Sequence, residues 1–152
     1  MIPADPARRT LALIYHAELL LTQSAQVSHE ALRHACVSGA VALTAQSLAA
    51  LLTALAAPQR MAPGHWVDML TALPDSLQER RLLERALLAA EGELYPLHLM
   101  IEQQRIGQAS APAVSEVFAT TTSVSSDAEL LAPLIKRLGQ LAQDLLSSSQ
   151  CW

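Results

Sequence analysis

Apolar residues recur at intervals of three and four along most of the chain, the repeat of an amphipathic helix. A first helix is predicted from Pro6 to about Thr22, with Asp5 as its N-cap and Pro6 at the first helical position, where a missing N–H costs nothing. Leu13, Ala17, Leu20 and Leu21 mark its core stripe, and Arg9, His16 and Gln23 follow a more polar one. After a break over 23–27, Ser28 and Glu30 predict the start of a second helix that runs to Ala57, where Pro58 stops it. This helix is apolar most of the way round, as befits the central, water-excluded element of a bundle.

The pattern continues in shorter units. His65 to Leu73 places Trp66, Met69, Leu70 and Leu73 on one helical face, predicting a lid helix that Pro74 ends. Asp75 and Gln78 have capping-box spacing ahead of a helix whose core positions are Leu83, Leu87, Ala90 and Leu94, with Arg80 and Arg81 within reach of Glu84. Gly92 and Pro96 predict a kink or restart, and then a helix to about Arg105. Residues 106–125 have neither a helical nor a strand period and read as an extended or mobile connection, with Val114, Val117 and Phe118 as candidate anchors. Ser126 and Glu129 predict the cap of a last helix carrying Leu131, Leu134, Ile135, Leu138, Leu141 and Leu145, with Pro133 tolerated near its start and residues 148–152 fraying. The expected fold is all-α: a single domain over 1–152, a bundle of about four to five helices with a long central second helix and a short lid helix.

Composition strengthens this reading. Ala and Leu supply 55 of 152 residues while Val and Ile supply 12, so a sheet-built fold is disfavoured. The net charge of -4 and the scattered basic residues provide no phosphate-binding patch, so nucleic acid is not expected as the main partner. Cys36 and Cys151 form neither a disulfide framework nor a zinc pattern, which suits reduced thiols in the cytoplasm. Asp5, Arg8 and Arg9 precede an apolar stretch too short for a signal peptide, so export is not expected.

Candidate chemistry is sparse. No Glu-x-x-His pair, nucleophile elbow or phosphate-cradling loop occurs, and no cofactor or metal is expected. His98 with Glu102 and Glu30 with His34 stand four residues apart, a spacing that ion pairing explains better than metal binding. Cys36 lies among apolar neighbours, which suppress its thiolate and suit a packing role. Arg9 and His16, with six residues between them, resemble the Arg-x(4–6)-His signature of helical-bundle ribonucleases from bacterial toxin and immunity systems, in which Arg and His act together on an RNA phosphodiester. Thr10 follows the Arg, and the pair lies on the first helix where that family places it later. Residues 35–57 are long enough to cross a bilayer, but Ser38, Thr44, Gln46, Ser47 and Thr53 interrupt them and a buried soluble helix is the expected state.

The segments ARRTLALIYHAELLL, HEALRHACVSGAVALTAQSLAALLTALA and PDSLQERRLLERALLAAEGEL, followed by a leucine-rich last helix, resemble an uncharacterised family of small all-helical domains from pseudomonads and related proteobacteria. That resemblance implies an all-helical cytoplasmic protein and carries over no functional residues. The expected function is a non-enzymatic module that binds another protein or itself. Ala35 and Gly39 on the small-residue face of the second helix, with Trp66 and Met69, are its candidate interaction surface, and core packing is the competing explanation for all four. An RNA-cleaving or RNA-binding bundle using Arg9 and His16, and a membrane-associated protein through 35–57, are the alternatives.

Overall fold

In a computed structural model, which describes residues 5–56, 64–109 and 124–149, Asp5 opens helix α1 (Pro6–Gln26) by accepting the Ala7 N–H at 3.1 Å. The helix outruns its expected end near Thr22. The Thr22 hydroxyl donates to the Glu18 carbonyl at 3.0 Å and the Ser24 hydroxyl to the Leu21 carbonyl at 2.6 Å, so neither side chain draws the backbone out of the helix. The core stripe is also rotated by about one position: Thr10, Ile14, Ala17, Leu21 and Ser24 are buried, while Leu13 and Leu20 are half-buried.

Helix α2 (Glu30–Ala56) begins one residue later than expected. His29, not Ser28, holds its start, with Nδ1 accepting the Leu32 N–H at 3.4 Å and the carbonyl accepting the Arg33 N–H at 3.0 Å. Arg33 donates back to the Val27 carbonyl at 2.8 Å and ties down the connection between the two helices. At about 1.5 Å per residue α2 is about 40 Å long and serves as the axle of the fold. It packs against α1, against α3 (Trp66–Ala72), α5 (Tyr95–Ala109) and α6 (Val124–Ser149), and is buried over more than half its circumference. Its buried hydroxyls do not need external partners: Thr44 donates to the Ala40 carbonyl and Ser47 to the Thr44 carbonyl, each at 2.7 Å. Cys36 is buried as a packing residue.

Helices α1, α2 and α6 form a three-helix bundle, α3 and α5 build against the remaining side of α2, and α4 (Gln78–Leu87) packs on α3 and α5. The lid face is as expected, since Trp66, Met69, Leu70 and Leu73 are all buried. The capping box at Asp75 is not. Leu77 occupies the N-cap of α4 without a side-chain bond, because the Asp75 carboxylate instead meets Arg80 at 2.6 Å. Arg80 pairs with Glu84 as expected, also at 2.6 Å, and donates to the Leu73 carbonyl. Arg81 turns to the Asp75 carbonyl at 3.2 Å instead of to Glu84.

The break expected at Gly92 is real, and its cause is close packing of backbone. The chain folds back over the end of α4, with the Leu94 N–H donating to the Ala86 carbonyl at 2.9 Å and the Gly92 N–H to the Ala89 carbonyl at 2.8 Å. A Cβ on Gly92 would lie 2.4 Å from the carbonyl oxygens of both Arg85 and Ala86. Ala90, expected in the core, is exposed on this turn, while Leu83, Leu87 and Leu94 are buried. Six helices result among the described residues, with α4 and α5 on either side of this turn.

At the two ends of the connection expected over 106–125, α5 continues through Ala109 and α6 starts at Val124. Residues 110–123, including Val114, Val117 and Phe118, lie outside the described residues, as do 57–63 and 150–152. The expected capping pair Ser126 and Glu129 falls inside α6, which carries Pro133 within its length. Leu131, Leu134, Ile135, Leu138 and Leu145 are buried, and half-buried Leu141 packs against them. The helix continues through Ser149, beyond the expected onset of fraying at 148.

Two glycines separate backbone crowding from helix propensity. Gly92→Ala is expected to lower stability by about 1–3 kcal/mol, because backbone must move to admit the methyl group. Gly107→Ala, on α5 with nothing within 4 Å, is expected to be neutral or to stabilise by up to about 1 kcal/mol. Urea unfolding midpoints of the two variants check both values.

Candidate functional site

Two surfaces of the bundle concentrate unusual features. The first is the outward side of α1. Rotation by about 100° per residue puts Leu11, Tyr15 and Leu19 on one stripe, about 130° round the helix from the centre of the buried stripe of Ile14, Ala17 and Leu21. All three are exposed, Leu11 by 37%, Tyr15 by 58% and Leu19 by 48%. Helix α1 is therefore apolar on both sides, although only one faces the core.

A groove between α1 and α6 runs beside this stripe. One part, of about 690 Å³, lies between Leu21, Thr22 and Ala25 of α1 and Ala128 and Ala132 of α6, with Arg33 at its α2 end. The other, of about 280 Å³, is lined by Leu11, Tyr15, Gln140 and Gln143. Glu18 and Lys136 lie between the two parts and border both. Its walls are mainly small and apolar, with charges of both signs at the rim.

The second surface is a polar cluster where α3 meets α5. His65 Nε2 donates to Glu102 Oε1 at 2.8 Å, and Arg105 donates to Glu102 Oε2 through Nη2 at 3.0 Å and Nε at 3.2 Å. With one carboxylate oxygen taken by each partner, the Arg105 guanidinium and then His65 hold the Glu102 carboxyl below the usual carboxylate range. His98, one turn earlier on α5, meets the Trp66 ring edge-on at 5.3 Å. Burial pushes the His98 imidazole below its ordinary value, against the opposing pull of Glu102. His98 Nδ1 and Trp66 Nε1 are both buried without a hydrogen-bond partner among the described residues. A shallow depression of about 330 Å³ lined by His65, Asp68, His98, Glu102 and Arg105 opens beside them. No serine, threonine or cysteine side chain lines it, and no group of three metal-ligating side chains occurs among the described residues.

The sequence candidates are dispersed over this framework. Trp66 and Met69 are 2% and 4% exposed, so they belong to the core and not to the interaction surface proposed for them. Gly39 is half-buried and receives Leu20, whose Cδ1 would lie 3.0 Å from an added Cβ, so its smallness serves the α1–α2 contact. Ala35 is exposed. Arg9 and His16 are both exposed on α1, two turns or about 10 Å apart along the axis: Arg9 borders a depression with Gln46 and Thr53, and His16 contacts the Tyr15 ring. Glu30 and His34 form no ion pair among the described residues, and Glu102 pairs with His65 and Arg105 instead of His98. The outward stripe of α1 escaped the sequence reading because that reading sought a single apolar face. Its signal was the i, i+4, i+8 spacing of Leu11, Tyr15 and Leu19. The His65–Glu102 contact spans 37 positions and has no local signature.

A model of a family of unknown function (DUF6586) matches residues 1–152, and the chain belongs to that family. No curated protein and no solved structure matches the chain. A family of unknown function over the whole chain agrees with the uncharacterised helical family that the sequence resembles.

The polar cluster predicts a specific pH response. His98 has a lowered value in the fold, so the unfolded chain binds its proton first as pH falls below about 6.5. Its contribution is thus fully present above that pH and is lost as pH descends toward the folded value. His98→Leu is expected to flatten the stability profile in this window, whereas Glu102→Gln removes the charge that opposes the His98 shift and steepens the loss there, and flattens the profile below about pH 4.5, where the unfolded chain's carboxylate protonates. Urea midpoints from pH 4 to 8 separate the two.

Proposed function

We propose that this DUF6586 protein is a non-enzymatic helical module that binds protein partners through the outward face of α1 and the adjoining α1–α6 groove. The observation that carries this reading is the three-residue apolar stripe of Leu11, Tyr15 and Leu19, which the core does not use. Large apolar side chains in register on an exposed helix lower their free energy by leaving water, at about 25 cal/mol per Å² covered, and an amphipathic partner helix supplies such cover. The small-residue walls of the groove allow close approach, and Glu18 and Lys136 offer charges that orient what binds.

The apolar length of α2 has a use inside this fold. Just over half of its most apolar window, 56%, is buried within the protein, so helix packing already covers much of the surface that a bilayer would otherwise receive. A cytoplasmic location fits this reading. Arg9 and His16 are exposed two turns apart on one side of α1, the spacing of the signature they resemble, so an RNA-cleaving bundle is the alternative reading.

Replacing Tyr15 by Ser and Leu19 by Ser tests the surface. Each variant is expected to unfold within about 0.5 kcal/mol of wild type, the usual range for exposed positions, while Leu21→Ala on the buried side costs about 2–5 kcal/mol. Binding of lysate proteins to immobilised protein is expected to fall for the Ser variants. Retention of all binding by the double variant would sink the proposal. Purified protein and His16→Ala are expected to leave labelled RNA equally intact.

A further inference from the structure

We propose that the partner seated on α1 is a second copy of this chain, with the two α1 helices packed antiparallel about a two-fold axis at Tyr15. This rests on the interaction face proposed above and names its occupant. Leu11 and Leu19 each stand one helical turn from Tyr15, on either side of it, so the stripe reads the same in both directions. A surface with that symmetry is complementary to itself under a two-fold operation, the commonest symmetry among soluble oligomers. Reversal sets Leu11 of one copy at the height of Leu19 of the other and brings the two Tyr15 rings together at the axis.

The charges around the stripe select the antiparallel arrangement. Arg8 and Glu18 lie on the same outward side of α1, are exposed, and form no ion pair within the chain among the described residues. In the antiparallel pair, Glu18 of one copy lies beside Leu11 of the other, one turn from Arg8, so opposite charges flank the apolar centre at both ends. A parallel pair would set Arg8 against Arg8 and Glu18 against Glu18, which like-charge repulsion disfavours. Gln140 and Gln143 of α6 flank Leu11 and Tyr15 and provide the polar rim that surrounds an apolar interface centre. The outer side of α5 offers no equivalent: exposed Leu99 and Ile106 lie seven residues apart with Glu102 and Arg105 between them, Glu102 being paired with both His65 and Arg105.

Sedimentation equilibrium and cysteine cross-linking test the arrangement on the full chain. Wild type is expected to approach twice its 16.3 kDa mass with rising concentration. Tyr15→Glu and Leu19→Glu are expected to weaken association by at least about thirtyfold, the loss typical of a central interface residue, without loss of helical circular dichroism. Arg8→Glu is expected to weaken it as well, and adding Glu18→Arg to that variant to restore it. In a Cys151→Ser background, Tyr15→Cys is expected to oxidise to a disulfide-linked dimer, while the equally exposed control Leu32→Cys is not. Three results overturn the proposal: a wild type that stays at 16.3 kDa, a Tyr15→Cys that cross-links no faster than the control, or charge exchange without rescue. A monomeric wild type whose lysate binding is still abolished by Tyr15→Glu rejects the second copy and leaves the α1 face as the site of a different partner. A monomeric wild type whose binding is unchanged rejects both.

Discussion

Everything in this fold depends on the burial of α2, a helix with almost no charge and no single apolar face. Water cannot be excluded from more than half of a helix's circumference by one neighbour, so α1, α3, α5 and α6 must surround it. Two properties of its residues make that enclosure affordable. Gly39 and Ala40 let α1 come close, with Leu20 filling the space where a Cβ at Gly39 would stand. Thr44 and Ser47 satisfy their hydroxyls on their own helix, so the interior needs no compensating polar groups from the neighbours.

The periodic parts of the architecture were legible in the sequence because they express a local rule. Asp5 and Pro6 at the start of α1, the face of Trp66, Met69 and Leu70, and the leucine ladder of α6 each follow from residues within a few turns of one another. The helix starts were read less well. Ser28 and Asp75 are good capping residues by type, yet His29 holds one helix start and Asp75 spends its carboxylate on Arg80, because competing local partners decided the outcome. Gly92 was legible as a break, while its reason, two carbonyl oxygens from the end of α4, required the folded chain.

Of the two surfaces described, the cluster around Glu102 was only half visible. His98 and Glu102 share a helix, so their spacing could be read, but His65 arrives from a different segment and takes the carboxylate oxygen. The outward stripe of α1 was entirely visible and passed over, since leucines in an Ala/Leu-rich helix are readily assigned to the core. Its separation from the true core depends on a rotation of about one position, which places Ile14 and not Leu13 inside. Such a small phase error is the characteristic weakness of reading a helix whose two sides are both apolar.

The order in which the bundle is synthesised has a bearing on its handling in the cell. Helices α1 and α2 are adjacent in sequence and pack against one another, so their hairpin can close as soon as both have left the ribosome, without waiting for distant contacts. The third member, α6, is separated from them by some seventy residues of intervening chain, and until it is translated its seat on α1 and α2 stays open. The nascent protein therefore passes through a stage with a long apolar trough facing water, the kind of surface to which chaperones bind and through which unfinished chains aggregate.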